Sequence, residues 1–271
     1  MSLHLLLIDP QNDFCDPNGS LFVPGADDDM RRAADLVARL GERIDAIHVT
    51  LDRHHALDIS HPGWWTTASG RPPVPFTLIT ADDLAEGRVD TSHPEHRERS
   101  LAYLRALESS GRYPHTIWPE HCLIGDTGGD IFPPLESALS DWERIDARRR
   151  RIVEKGSNPF TEHFSAVRAE VPDPTDRGTQ TNEGFIAALE PADQILVAGE
   201  AGTHCVMNTV ADLAESFGSR GTIEKVVWLD DATSPVPDPP GTTLFSEALR
   251  ATRSRLEKRG MRSARTSDFG R

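Results

Sequence analysis

The chain has 271 residues, of which 29 are Lys or Arg and 43 are Asp or Glu, giving a formal net charge of −14 at neutral pH. That length suffices for one large α/β domain with a sizeable core, and the acidity argues against a nucleic-acid or anionic-membrane partner. Three cysteines, Cys15, Cys122 and Cys205, are an odd and sparse set, unlike a disulfide framework. The opening apolar run, about six residues with no basic region before it, is not a secretory signal. No stretch approaches the ~20 apolar residues of a membrane span, and the expected compartment is the cytoplasm. In chain order the pattern predicts a strand near 3–8, a helix near 27–40, a strand near 44–51 and a helix near 95–110. A strand near 150–154, a helix near 183–190, a strand near 194–199 and a helix near 204–218 follow. A strand near 224–229, a helix near 242–257 and a weak last strand near 261–266 complete the series. This alternation predicts an α/β, doubly wound, mainly parallel six-stranded sheet with helices on both faces, in one domain spanning 1–271.

Two long connections interrupt the alternation. The first, an insertion at about 62–116, is rich in Pro, Gly and charge, as in Pro62-Gly63-Trp64-Trp65 and Arg71-Pro72-Pro73-Val74-Pro75-Phe76. A connection of this length is a functional loop, a lid or an oligomer contact. The second, Ser157 to Asn182, carries Glu162, His163 and Arg168, whose charges read as a solvated helix face.

Three strand ends carry chemistry. The apolar run Leu5-Leu6-Leu7-Ile8 stops at Asp9-Pro10-Gln11-Asn12-Asp13-Phe14, residues that break regular structure. Residues just beyond the carboxyl ends of parallel strands form the ligand crevice, so Asp9 is placed either as a general base or as a turn cap. The β-branched run Arg151-Ile152-Val153 ends in Glu154-Lys155-Gly156, where Lys155 either holds a carboxylate and a thiolate ionised or is a solvated strand end. The run Ile195 to Ala198 stops at small residues, and a helical stretch starts near Cys205. A helix N-terminus lowers a thiol pKa and supplies oxyanion donors; the alternative is a cysteine packed as a small hydrophobe. Together an acid, a lysine and a thiol on one rim supply the parts needed for covalent catalysis.

Leu51-Asp52-Arg53-His54 follows another strand, and residues two apart on an extended chain point the same way, so Asp52 and His54 can converge on one cation. His61 and His121 can complete a carboxylate-and-imidazole set that suits a divalent metal, zinc, iron or manganese. His55 and Asp58 compete with His61 for its place in that set.

The Asp-x-Gln-Asn-Asp-Phe opening, Trp118-Pro119-Glu120-His121-Cys122, Lys155-Gly156 and the turn Gly199-Glu200-Ala201-Gly202-Thr203-His204-Cys205-Val206 follow one another along most of the chain. In these motifs the chain resembles the nicotinamidase/isochorismatase-like cysteine hydrolases, closest to the metal-binding nicotinamidase branch. The resemblance implies Asp9 as base, Lys155 as the middle member of a triad and Cys205 as nucleophile. It also implies an oxyanion site at the N–H groups of Ala201 and Cys205, with Glu200–Ala201 joined by a cis peptide. Phe14 and Trp118 match positions that line the ring pocket, although for Phe14 ordinary core remains open. The implied metal set is Asp52, His54, His121 and, less securely matched, His61. The implied reaction is hydrolysis of a small amide, nicotinamide first, to nicotinate and ammonia through a thioester. A metal-free isochorismatase-type or N-carbamoyl amide hydrolase is the alternative. The resemblance also implies a homo-oligomer. Glu200 stands where smaller family members have an apolar residue; pointing inward it would disfavour a thiolate or recognise a cationic group.

Overall fold

A computed structural model of the chain describes residues 1–110, 112–217 and 223–270. Leu3–Ile8 (β1) is a nearly unbroken leucine run, buried from His4 onward, as a strand covered on both faces must be. Ala46–Asp52 (β2), Arg151–Lys155 (β3), Gln194–Gly199 (β4), Val226–Leu229 (β5) and Arg262–Ala264 (β6) complete a six-stranded sheet. Its order is β6-β5-β4-β1-β2-β3, and every pairing is parallel. The chain therefore builds outward from β1 in one direction and then crosses back to place β4 on the other side. That reversal makes the β1/β4 boundary the switch point of the sheet.

Helices Ala26–Leu40 (α1), Pro133–Arg144 (α3), Glu183–Leu189 (α4), Met207–Phe217 (α5) and Leu244–Lys258 (α6) surround the sheet, whereas Arg97–Ser110 (α2) packs within the long connection before α3. Helix α1 buries Met30, Ala33, Val37 and Leu40 on one stripe, and Asp27, Asp28 and Asp29 in its first turn suit the positive helix end. Residue 218, the predicted end of the helix from 204, lies outside the described residues. Helix α3 is absent from the sequence expectation. Pro133 and Pro134 read as loop residues, yet proline fits the first helical positions, whose N–H groups have no partner within the helix. No helix among the described residues is long and apolar enough to cross a membrane.

The segment 62–116 packs a small core of its own around Trp64, Trp65, Leu84, Tyr103 and Leu104. It carries two antiparallel strand pairs, Trp65–Thr67 with Val89–Thr91 and Leu78–Ile79 with His115–Thr116. The Trp64 indole N–H donates to Ser100 Oγ at 3.0 Å and the Trp65 indole N–H to the Ile59 carbonyl at 2.7 Å, so neither ring is buried with an unmet donor.

The charges of 157–182 correct the sequence expectation. Only Arg168 is exposed; Glu162 and His163 are buried at 4 % and 6 %, in a stretch without an α-helix. They turn inward because they find partners there: the Trp118 indole N–H donates to Glu162 and the Gly156 N–H to His163 Nδ1. Farther along, Arg112 pairs with both Glu170 and Asp212, whose side chains are 1 % and 2 % exposed. This ties the insertion to the loop after β3 and to α5. Removing the cation by Arg112→Met leaves two buried carboxyls with only the half-exposed Arg168 nearby. The variant is expected to lose about 3 kcal/mol in urea unfolding. An unchanged midpoint would show that the cluster is not a clamp.

Candidate active site

Four neighbouring strands bring four side chains to one rim. In the order β4-β1-β2-β3, β4 runs into the turn that holds Cys205, β1 runs into Asp9, β2 ends on Asp52 and β3 ends on Lys155. Asp9 breaks its strand in the left-handed region, with φ of 44°. Thr50 on β2 fixes it there: the Asp9 N–H donates to the Thr50 carbonyl at 3.1 Å, and Thr50 Oγ1 donates to Asp9 Oδ1 at 2.5 Å.

Lys155 reaches back across β2. Its Nζ lies 2.9 Å from Asp9 Oδ2, 3.2 Å from Asp52 Oδ1 and 3.7 Å from Cys205 Sγ. All four residues are buried. Burial alone opposes the charge on Lys155, but Asp52 and Asp9 outweigh it and hold the ammonium well above its ordinary pKa. Burial raises Asp9, with Lys155 pulling the other way. Burial also pushes the Cys205 thiol well up against the pull of Lys155. The thiol thus keeps its proton, while the carboxylate beside it gains affinity for one.

Cys205 sits in a wide helical turn, Gly202–Val206, that leads into α5. The turn is pinned to β1: the Glu200 N–H donates to the Ile8 carbonyl at 2.7 Å. Only glycine allows this approach, because a Cβ on Gly199 would lie 2.0 Å from that carbonyl oxygen. The Glu200–Ala201 peptide is cis. Glu200 itself neither lines the cavity nor faces the thiol. Its Oε2 accepts the Ser234 N–H, and burial together with Asp29 holds its carboxyl well above the usual range, hence neutral. The expectation that it might oppose a thiolate or read a substrate cation is corrected accordingly.

A cavity of about 390 Å³, open mouth included, is lined by Cys205, Asp52 and His121 and walled by Phe14 and Trp118. No residue of 62–116 is among its lining residues. The insertion instead braces Trp118, with Phe76 packed edge-on against that ring at 5.8 Å.

Asp52, His54 and His121 place ligand-type atoms within 4.8 Å of one another. The His54 and His121 rings are 4.7 Å apart, and the His61 ring lies 5.1 Å and 5.3 Å from them. His54 Nδ1 meets Asp58 Oδ2 at 3.1 Å while its Nε2 lies 3.2 Å from Asp52 Oδ2, and His121 Nδ1 meets the Pro119 carbonyl at 2.8 Å, so one nitrogen of each ring is held by a partner that orients it. Both ring nitrogens of His61 are buried without a hydrogen-bond partner. Orphaned imidazole nitrogens beside a carboxylate fit a divalent ion. Of the competing residues, His55 is exposed, and Asp58 stands behind His54 as its orienting partner.

No protein-family model matches the chain. A nicotinamidase of Escherichia coli is 27 % identical over 210 residues, covering 77 % of this chain and 74 % of the relative. The yeast nicotinamidase bound to the inhibitor nicotinaldehyde has a TM-score of 0.63 at 21 % identity, over 97 % of this chain and 99 % of that one. The Pyrococcus horikoshii pyrazinamidase in complex with zinc has a TM-score of 0.55 at 18 % identity, over 98 % and 99 %. In sequence the chain is similar to nicotinamidases, and its fold is that of the nicotinamidase and isochorismatase-like hydrolase structures.

Three residues of this site escape the sequence reading. Gln11 clamps the backbone of Asp52, accepting its N–H at 2.7 Å and donating to its carbonyl at 2.8 Å. Asp13 Oδ2 accepts the Cys122 N–H at 2.6 Å and so fixes the residue after His121. Both stand in the turn after β1, which reads as a simple chain reversal. Glu162 lines the cavity and has no ion-pair partner among the described residues; burial lifts its pKa to about 8. An unfolded glutamate ionises near 4.3, so the folded state loses stability as pH rises from there towards 8. Glu162→Gln keeps an acceptor for Trp118 and removes the ionisation. It is expected to raise the melting temperature at pH 8 by several degrees and to leave it unchanged at pH 4. An equal shift at both pH values would refute a buried neutral acid.

Proposed function

We propose that the chain is a metal-dependent amidase that cleaves the C–N bond of nicotinamide, giving nicotinate and ammonia through a thioester on Cys205. The observation that carries this reading is the contact of one buried lysine with Asp9, Asp52 and Cys205 at the wall of a cavity lined by Phe14, Trp118 and His121.

In this reading Asp9 takes the proton of Cys205 as the sulfur attacks the amide carbonyl, and Lys155 stays charged and stabilises the thiolate as it forms. Backbone N–H groups at Ala201 and Cys205 meet the oxyanion. Asp9 returns the proton to the departing nitrogen, and ammonia leaves. A water molecule then gives a proton to Asp9 and its oxygen to the acyl carbon, the C–S bond breaks, and the thiol is restored as nicotinate departs. Phe14 and Trp118 hold the ring between them. Asp52, His54 and His121, with His61 adjoining, would hold the divalent ion, zinc first and iron or manganese otherwise. When bound, that ion supplies a Lewis-acid contact that orients the substrate.

Purified, metal-analysed protein is expected to release ammonia from nicotinamide, and Cys205→Ala to release none. No release from metal-loaded enzyme removes nicotinamide as substrate. Asp9 must be ionised to act as base and its pKa is raised, so kcat/KM falls on acidification at a pH above the 3.8 of an ordinary aspartate. A flat acid limb would remove Asp9 from that role. His54→Ala combined with His121→Ala is expected to abolish stoichiometric metal, read by mass spectrometry, together with turnover. Turnover that survives metal loss would favour the metal-free isochorismatase-type or N-carbamoyl amide hydrolase.

A further inference from the structure

Glu200 is fully buried beside the turn that holds Cys205, yet no step of the mechanism above uses it. Its carboxyl belongs to a lacing of four hydrogen bonds between residues 199–203 and the loop after β5, 232–236. The Gly199 N–H donates to the Ala232 carbonyl at 2.9 Å, and the Gly202 N–H donates to the Ser234 carbonyl at 2.7 Å. In the other direction the Ser234 N–H donates to Glu200 Oε2 at 3.2 Å and the Val236 N–H to Thr203 Oγ1 at 3.1 Å. Ser234 therefore grips both neighbours of Ala201, residue 200 by its side chain and residue 202 by its backbone. Ser234 is itself moored to α1: its Oγ donates to Asp29 Oδ2 at 2.5 Å, and Asp29 pairs with Arg32 at 2.6 Å. Ala201 lines the cavity, and its N–H makes no hydrogen bond among the described residues. A free N–H whose two flanking residues are fixed is a preorganised donor. An apolar side chain at 200 would fill the same space and leave the Ser234 N–H unmet.

Resting on the amidase reading above, we propose that Glu200, acting through Ser234, is a positioning residue that aims the Ala201 N–H at the oxyanion formed when Cys205 attacks the amide carbonyl. Glu200 touches neither the substrate nor the reacting atoms; it clasps the turn that presents the donor. Such a donor helps only if it already points to where charge develops. The carbonyl oxygen of the bound substrate carries little of that charge, so a misaimed N–H costs the transition state more than it costs substrate binding. The signature of the clasp is therefore a loss of kcat at a nearly constant KM. The carboxyl acts here as a hydrogen-bond acceptor, a part that a glutamine carbonyl fills and a methionine of similar length does not.

Native protein, Glu200→Met, Glu200→Gln and Ser234→Ala are compared at equal metal content. With nicotinamide as substrate, Glu200→Met is expected to lower kcat about tenfold and to move KM less than about twofold. Glu200→Gln is expected to restore most of the rate. Ser234→Ala, at a half-buried residue, frees the clasp from α1. It is expected to lower kcat about threefold at constant KM, and it carries the test if the methionine variant does not fold. Nicotinaldehyde and nicotinate supply a second readout. When the Cys205 thiol adds to the aldehyde, a C–S bond forms, the C=O π pair moves onto oxygen and the thiol proton passes to Asp9, so the adduct places an oxyanion at Ala201. Nicotinate binds without that adduct. Glu200→Met is expected to weaken nicotinaldehyde by the same factor as kcat and to leave the nicotinate Kd unchanged. A loss confined to KM, an equal weakening of aldehyde and acid, or a glutamine variant as slow as the methionine one overturns the inference. Amide hydrogen exchange in the ligand-free protein judges the clasp apart from any substrate. Glu200→Met is expected to speed exchange across 199–205 with α1 unaltered, and unchanged exchange there overturns the inference. Native protein that releases no ammonia from nicotinamide defeats the amidase reading, whereas the exchange result stands on its own, so the two failures are told apart.

Discussion

The site depends on one buried ammonium. Lys155 stands among Asp9, Asp52 and Cys205 with almost no solvent, and each of these groups is tolerable there only because the others are present. The sheet order explains the choice of residue. Lys155 ends β3, two strands from β1, and neighbouring strands lie about 4.8 Å apart. A flexible four-carbon stem spans that gap and brings a compact charge between two carboxylates. Asp52 belongs to two groupings at once: Oδ1 meets Lys155, and Oδ2 lies 3.2 Å from His54 Nε2. The metal-type ligands and the thiol are thus neighbours through a shared carboxylate, and one cannot be rearranged without disturbing the other.

Around that centre, the rim is held by side chains gripping backbone. Thr50 holds Asp9, Gln11 holds Asp52, Asp13 holds Cys122, and the bare Cα of Gly199 lets Glu200 reach the Ile8 carbonyl. Each bond joins segments far apart in sequence, so the positions of the reacting groups follow from the sheet rather than from any loop's own stiffness.

The sheet and its strand ends were legible because they rest on local signals. Apolar runs broken by Asp9, Lys155 and Gly199 mark where strands stop, and a parallel sheet places such ends on one rim. The pairing of Asp52 with His54 was equally readable from strand periodicity. What escaped depends on partners distant in sequence. Glu162 and His163 read as solvated because no local pattern announces that Trp118 and Gly156 wait for them. That the His61 ring lies beside His54 and His121 is a tertiary fact no local pattern announces. Helix α3 was hidden by Pro133 and Pro134, whose loop signal is real but is also tolerated at a helix start.

Strand β3 is short, lies at the sheet's edge, pairs only with β2 among the described residues, and leaves Ile152 45 % exposed. Its lysine is therefore suspended from an edge strand held on one side only. Local fraying of an edge strand needs far less free energy than melting the core. A brief detachment of β3 withdraws the cation and leaves Asp9 and Asp52 facing each other, while the rest of the sheet stays folded. Greater durability is to be sought in that outer seam rather than in the already dense interior.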